Sequence, residues 1–239
     1  MLGLRSFSEC RRLLQLARRR LAEILSSFEL MDAETLRAVK ENLGLPPLLS
    51  SRPPFTILVE THGSVEEHDM QKLEAFLEEA ISSGIADDGV LAKTGQERAQ
   101  MWRLREESPI AVMKDGFIYK FDISLPLAHF YELTEIAREK LAGLAKVYCY
   151  GHVGDGNAHL NITTTTEDKE LSQSLPTWVL EWVVAHGGSI SAEHGIGQLK
   201  RDFSHLGKSR EERETLAALK AVFDPHSILC PYKMFGYSV

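Results

Sequence analysis

At 239 residues the chain is long enough for one sizeable domain or two small ones, and its 44% apolar and 26% charged residues are those of an ordinary globular protein. A formal net charge of -7 speaks against a nucleic-acid binder, and no apolar run approaches the length of a membrane span. Three widely separated cysteines, Cys10, Cys149 and Cys230, fit a reducing compartment with no disulfide framework.

The first twenty residues carry Arg5, Arg11, Arg12, Arg18, Arg19 and Arg20 against a single acid, Glu9. That is the composition of a mitochondrial transit peptide. The helical spacing of Leu13, Leu14, Leu16, Ala17, Leu21, Ile24 and Leu25 runs on past the basic stretch, however, so the segment is read as an ordinary helix over 7–25. Asp32, Thr35 and Leu36 open a short second helix that Gly44-Leu45-Pro46-Pro47 breaks, and 50–54 reads as a linker. This organisation predicts a helical segment over 1–50, an α+β substrate- and metal-binding domain over 51–194, and a helical C-terminal segment with an irregular tail over 195–239.

Within the middle unit, 55–60 reads as a strand, and 64–83 as a helix opened by a capping box of Ser64 with Glu67. A short strand follows at 89–92, then a helix over 96–107 that stops before Pro109. The run 117–123 alternates and predicts a strand. Pro126 suits the first turn of a helix whose buried face is Phe130, Leu133, Ile136, Ala137 and Leu141. Strands at 146–150 and 160–163 and a helix at 176–186 complete the order. Helices alternating with a small sheet that contains a hairpin predict an α+β fold, a ferredoxin-like antiparallel sheet with helices on one face.

The chemistry concentrates in two pieces. One is the run from Gly151 to Asn161, GHVGDGNAHLN; the other is Ser191-Ala192-Glu193-His194-Gly195-Ile196-Gly197. Gly154-Asp155-Gly156-Asn157 is turn chemistry, and closing a hairpin there pairs His152 with His159 on one face, with Asn161 on the same face. Two imidazoles so placed can grip a borderline metal, and Glu193, where Gly195 and Gly197 let the backbone come close, is the best carboxylate to complete a three-ligand site with an open position. On spacing alone a second reading stands beside it: a histidine hairpin that only hydrogen-bonds within itself. In isolation Arg105 reads as a helix-surface charge, and Lys120 as either an anion-binding group or an ion-pair partner of Asp122. Lys200 and Arg201 read as a solvated helix face.

These two pieces, with the run GFIYKFDISLP from Gly116 to Pro126 and ILCPYK from Ile228 to Lys233, resemble the C-terminal half of the FAD-linked oxidases that act on 2-hydroxy acids, most of all the members that oxidise D-2-hydroxyglutarate. The resemblance covers nearly the whole chain, including the Arg-rich first helix, which argues further against a transit peptide. It implies a mitochondrial matrix location, an FAD cofactor, a 2-hydroxy dicarboxylate substrate, a divalent metal, usually zinc, and an electron acceptor such as electron-transfer flavoprotein. His152, His159 and Glu193 match the family's metal ligands. Arg105, Lys120 and Asn161 match residues that hold the substrate carboxylates, and His194 matches the base that takes the hydroxyl proton.

Three departures accompany the match. The family's FAD-binding half precedes the matching region, so the chain is expected to lack it, with its N- and C-terminal helical segments left to pack against that half. Pro109 stands where the family has a substrate-contacting threonine, and Cys230 where it has an asparagine near the flavin. The alternatives to a D-2-hydroxyglutarate dehydrogenase half are a D-lactate or glycolate dehydrogenase, or a metal-binding piece without turnover.

Overall fold

The computed structural model describes residues 1–234. Strand β1 (Leu2–Leu4) leads into helix α1 (Phe7–Arg20), then β2 (Leu25–Asp32), α2 (Ala33–Leu43), β3 (Phe55–Thr61), α3 (Glu66–Ser82) and the two-residue β4 (Asp88–Gly89). Helices α4 (Gly95–Glu106) and α5 (Ser108–Met113) connect to β5 (Phe117–Ser124), α6 (Glu132–Lys140), β6 (Lys146–His152), β7 (Asn157–Thr164), α7 (Lys169–Ala185) and α8 (Arg210–Phe223). The strands form one seven-stranded antiparallel sheet in the order β4-β1-β3-β2-β6-β7-β5.

The α+β antiparallel architecture is the one expected, and it is built twice. Strands β1 to β4 with α1 and α3 make a βαββαβ unit whose spatial order, 4-1-3-2, is ferredoxin-like. Strands β5, β6 and β7 with α6 and α7 repeat the scheme up to its third strand, and an isolated bridge between Ser124 and Ser189 stands where the fourth would lie. The two units join through the pairing of β2 with β6.

Alternation along the strands separates two cores. Leu30, Ile57, Cys149, Leu160 and Ile162 face one side with α1, α3, α6 and α7. Met31, Leu58, Tyr148 and Tyr150 face the other with α2, α4 and α5. Helices on one face is therefore corrected to helices on both, because α2, α4 and α5 are inserted between strands of the basic scheme.

The first fifty residues are not a helical segment, since they supply β1 and β2, and β2 lies at the centre of the sheet. The helix expected over 7–25 stops at Arg20, where Leu21 closes onto Ala17 and the turn ending at Leu25 reverses the chain. Ile24 lies in that turn and Leu25 opens strand β2, so the apparent helical periodicity ends with the helix.

Other boundaries also move. The Ser64 box is not formed: α3 starts at Glu66 with Val65 at its N-cap and no side-chain bond there. Boxes do close at Ser6 with Glu9, Thr94 with Glu97 and Ser209 with Glu212. Pro109 does not end the helical region but sits in the first turn of α5, where its missing N–H costs nothing. Helix α7 begins at the Asp168 cap, well before Pro176, which lies inside it. The helix predicted from Pro126 starts only at Glu132. Of the expected C-terminal segment, the described part is helical as α8 and irregular from Asp224 to Met234, and 235–239 lie outside the described residues. Leu219, Val222, Phe223, Ile228, Leu229 and Tyr232 are exposed there. No helix among the described residues is long and apolar enough to cross a membrane.

One turn position is demanding. Gly156 has φ 79°, and a Cβ there would lie 2.5 Å from the carbonyl oxygen of Leu125. Gly156→Ala is expected to cost about 1–3 kcal/mol, from the left-handed backbone and the backbone clash together. A urea melt superimposable on that of the unmodified chain would contradict this.

Candidate metal and substrate site

The hairpin of β6 and β7 sets the geometry. His152 faces Asn157 and Tyr150 faces His159, so the register is two residues from the expected pairing of His152 with His159. A shift of two preserves the face. His152 and His159 are diagonal neighbours on the α2/α4/α5 side, with ring centroids 5.4 Å apart. Asn161 is on the same face, opposite Tyr148 on one side and Lys120 on the other.

The second piece arrives around the sheet edge. Ser189 and Ser124 exchange backbone hydrogen bonds of 2.9 and 3.1 Å, carrying the chain past β5. Three successive N–H groups, from Ala192, Glu193 and His194, then donate to Asp122 Oδ2 at 3.1, 2.9 and 3.0 Å. Lys200 clamps the same residue, donating from Nζ to the Asp122 carbonyl at 3.0 Å. It is half-buried, which lowers its pKa, and so does not belong to a solvated face.

The result is convergence on one atom. Glu193 Oε1 lies 3.9 Å from His152 Nε2, 3.5 Å from His159 Nε2 and 3.7 Å from His194 Nε2. A charge-assisted hydrogen bond would be about 2.7–2.9 Å. Tetrahedral ligands held about 2.0–2.1 Å from a zinc ion sit roughly 3.4 Å from one another. The spacing therefore matches ligands around a shared ion better than closed hydrogen bonds. Asp122, His159, Glu193 and His194 each offer a donor atom within 4.8 Å of the others. Asp122 is the poorest ligand of these: Oδ2 is already taken by three N–H groups, and Oδ1 is buried behind the His159 ring.

Burial, with the Arg105 charge nearby, pushes the His159 pKa down to about 4, which keeps the ring neutral, the form a metal takes. The hydrogen bond that His152 donates to the Glu29 carboxylate pushes the histidine's pKa the other way. Burial alone would raise the Asp122 carboxyl, but the N–H groups of His194 and Glu193 hold it below the usual range. His194 is the most open of the three imidazoles, its side chain 64% exposed.

The predicted substrate residues are gathered unevenly. Arg105 is buried rather than on a helix surface; its Nε donates to Glu29 at 3.0 Å and its guanidinium lies 5.0 Å from the centre of the Tyr150 ring. Asn161 is buried, donating to the His159 carbonyl at 3.2 Å. Lys120 is exposed and directed at Met113 Sδ, 3.3 Å away, so its proposed pairing with Asp122 is not formed. Pro109 is partly buried in α5. Cys230 is an exposed free thiol in the tail, which returns to the Glu193 loop through a 3.0 Å bond from the Met234 N–H to the Gly197 carbonyl.

Sequence reasoning missed Glu29, Asp122 and Tyr150. Glu29 lies in the stretch between the helix expected to end at Leu25 and the one expected to open at Asp32, for which no element was predicted. Asp122 was legible as sharing a face with Lys120, but its place opposite His159 needed the β5–β7 register.

The profile of the FAD-linked oxidases, C-terminal domain, matches residues 1–234. The chain belongs to the FAD-linked oxidase family. It is 43% identical over 235 residues to the mitochondrial D-2-hydroxyglutarate dehydrogenase of Bos taurus, covering 98% of this chain and 43% of that protein. It is 41% identical over 236 residues to the Arabidopsis thaliana protein of the same name, covering 98% of this chain and 42% of that protein. The D-2-hydroxyglutarate–pyruvate transhydrogenase of Saccharomyces cerevisiae is 38% identical over 242 residues, 97% of this chain and 49% of that protein. The chain thus spans less than half the length of these relatives. Among solved structures, p-cresol methylhydroxylase with substrate bound superposes with a TM-score of 0.69 at 10% identity, over 98% of this chain and 51% of that one. That likeness speaks to the fold alone.

Proposed function

We propose that the chain is the substrate- and metal-binding half of an FAD-dependent dehydrogenase that oxidises D-2-hydroxyglutarate to 2-oxoglutarate. The observation that carries this reading is the convergence of three imidazoles on Glu193 Oε1 at 3.5–3.9 Å, in a chain whose relatives bear that activity in their names. His152, His159 and Glu193 are the ligands of a divalent metal, zinc by the mixed nitrogen and oxygen donor set. His152 and His159 are preferred over His194 because they stand on paired strands, whereas His194 sits on an open loop.

When bound, a divalent metal lowers the pKa of a coordinated hydroxyl, and a flavin accepts a hydride. His194, open to solvent and beside the ligand cluster, takes the hydroxyl proton, work suited to an imidazole near neutral pH. Arg105 spends its Nε on Glu29 and offers the Nη end of its fork to one carboxylate. Lys120 and Asn161, opposite each other across β5 and β7, hold the second. The exposed apolar strip of α8 and the tail packs on the flavin-binding half, electron-transfer flavoprotein takes the electrons onward, and the location is mitochondrial.

His194→Ala is expected to leave metal content unchanged and to lower turnover of the flavin-loaded enzyme about 10²–10⁴-fold. Loss of metal in this variant would instead make His194 a ligand. The substrate assignment is tested by calorimetry on the zinc-loaded chain. D-2-hydroxyglutarate should bind at least about tenfold more tightly than D-lactate, the difference of one charge-assisted carboxylate contact. Equal affinities would overturn the dicarboxylate reading.

A further inference from the structure

Two buried carboxylates stand behind the ligand histidines. Glu29, 4% exposed, meets His152 Nδ1 with Oε1 at 2.9 Å and Arg105 Nε with Oε2 at 3.0 Å. Asp122, 3% exposed, holds the Ala192–His194 backbone with Oδ2 and turns Oδ1 toward His159 Nδ1 at 3.6 Å. Oδ1 is buried with no hydrogen-bond partner. A buried orphan acceptor is costly, and an Nδ1–H facing it relieves that cost after a small ring rotation.

We propose that Glu29 and Asp122 are positioning residues. Each fixes one imidazole as the Nδ1–H tautomer with one oxygen, leaving Nε2 for the metal, and with the other oxygen anchors a second part of the site. Glu29 thereby ties Arg105 to His152, and Asp122 ties the Glu193–His194 loop to His159. A carboxylate behind a ligand histidine sets both the tautomer and the ring orientation. The inference rests on the metal reading of the site.

The charge-neutral amides make the test sharp, because each keeps a single acceptor oxygen. In Asp122→Asn three backbone N–H groups claim that oxygen, so the amide NH2 faces His159 Nδ1. Nδ1 must then accept, the ring proton moves to Nε2, and the metal-binding nitrogen is blocked. The same tautomer logic makes the buried aspartate of a serine-protease triad sensitive to amide replacement. In Glu29→Gln the single oxygen serves either Arg105 or His152, not both.

The experiment is a two-bond proton–nitrogen correlation spectrum of the ¹⁵N-labelled, metal-free chain, followed by zinc titration of the same samples. His152 and His159 should both be Nδ1–H tautomers in the unmodified chain. His159 should switch to Nε2–H in Asp122→Asn, and zinc affinity should fall about 10–100-fold in both variants. Unchanged zinc affinity in the variants, or Nε2–H histidines in the unmodified chain, would overturn the inference. Because the unmodified chain is itself informative, a poorly folding variant leaves the inference falsifiable. If the unmodified chain shows Nδ1–H rings but takes up no zinc, the metal reading fails while the tautomer assignment stands. If it takes up zinc with Nε2–H rings, the positioning roles fail and the metal reading stands.

Discussion

His159→Ala should lower zinc affinity by at least about a hundredfold, more than the 10–100-fold typical of losing an outer partner. His159 occupies the middle of the site: its side chain is 12% exposed, its Nε2 is nearest of the three imidazoles to Glu193 Oε1, and its neutral form persists down to about pH 4. The ring has Tyr150 and His194 as neighbours, with centroids 5.2 and 5.9 Å away. Competition with a chromophoric chelator measures the loss. The exposed His205, replaced in the same way, serves as the control and should leave affinity unchanged. Equal affinity in His159→Ala would remove the residue from the ligand set.

The largest effect on stability is expected at Asp32. Its carboxylate is fully buried and accepts from the Thr35 N–H at 2.8 Å, the Cys149 N–H at 2.9 Å, the Tyr131 hydroxyl at 3.1 Å and Arg138 Nη2 at 2.6 Å. One side chain thus caps α2, ties β2 to β6 where the two ferredoxin-like units meet, and fixes α6 to the sheet. Asp32→Ala leaves a cation and several buried donors unpaired, which costs about 3–5 kcal/mol. Denaturant unfolding should show a fall of that size. A loss below about 1 kcal/mol would mean that water replaces the carboxylate.

The sequence disclosed the elements whose patterns were local. Alternation in β5, turn glycines between β6 and β7, and the periodicity of α3 and α6 were all legible, and they sufficed for an antiparallel α+β class. What required the third dimension was register and face. β2 falls in the gap between the helix expected to end at Leu25 and the one expected to open at Asp32, where no element was predicted, and with it went Glu29 and the centre of the sheet. The duplication was invisible because the two units share a scheme of elements rather than a run of residues.

The site was legible to the same extent. His152, His159 and Glu193 could be named from turn chemistry and flexible glycines, and they do converge. The carboxylates behind them could not, since an acid on a strand announces neither its burial nor what lies opposite. Arg105 reversed its expected exposure for a similar reason: nothing local in α4 marks which face meets the sheet, yet Met101, Leu104 and Arg105 are the buried side chains of that helix.

The central claim is that His152, His159 and Glu193 hold one metal ion, and elemental analysis of the purified chain tests it most directly. After exposure to zinc and removal of excess, one tightly held ion per chain is predicted, with D-2-hydroxyglutarate binding lost when a chelator strips it. A chain that retains no metal, or binds D-2-hydroxyglutarate equally well without it, would contradict the account.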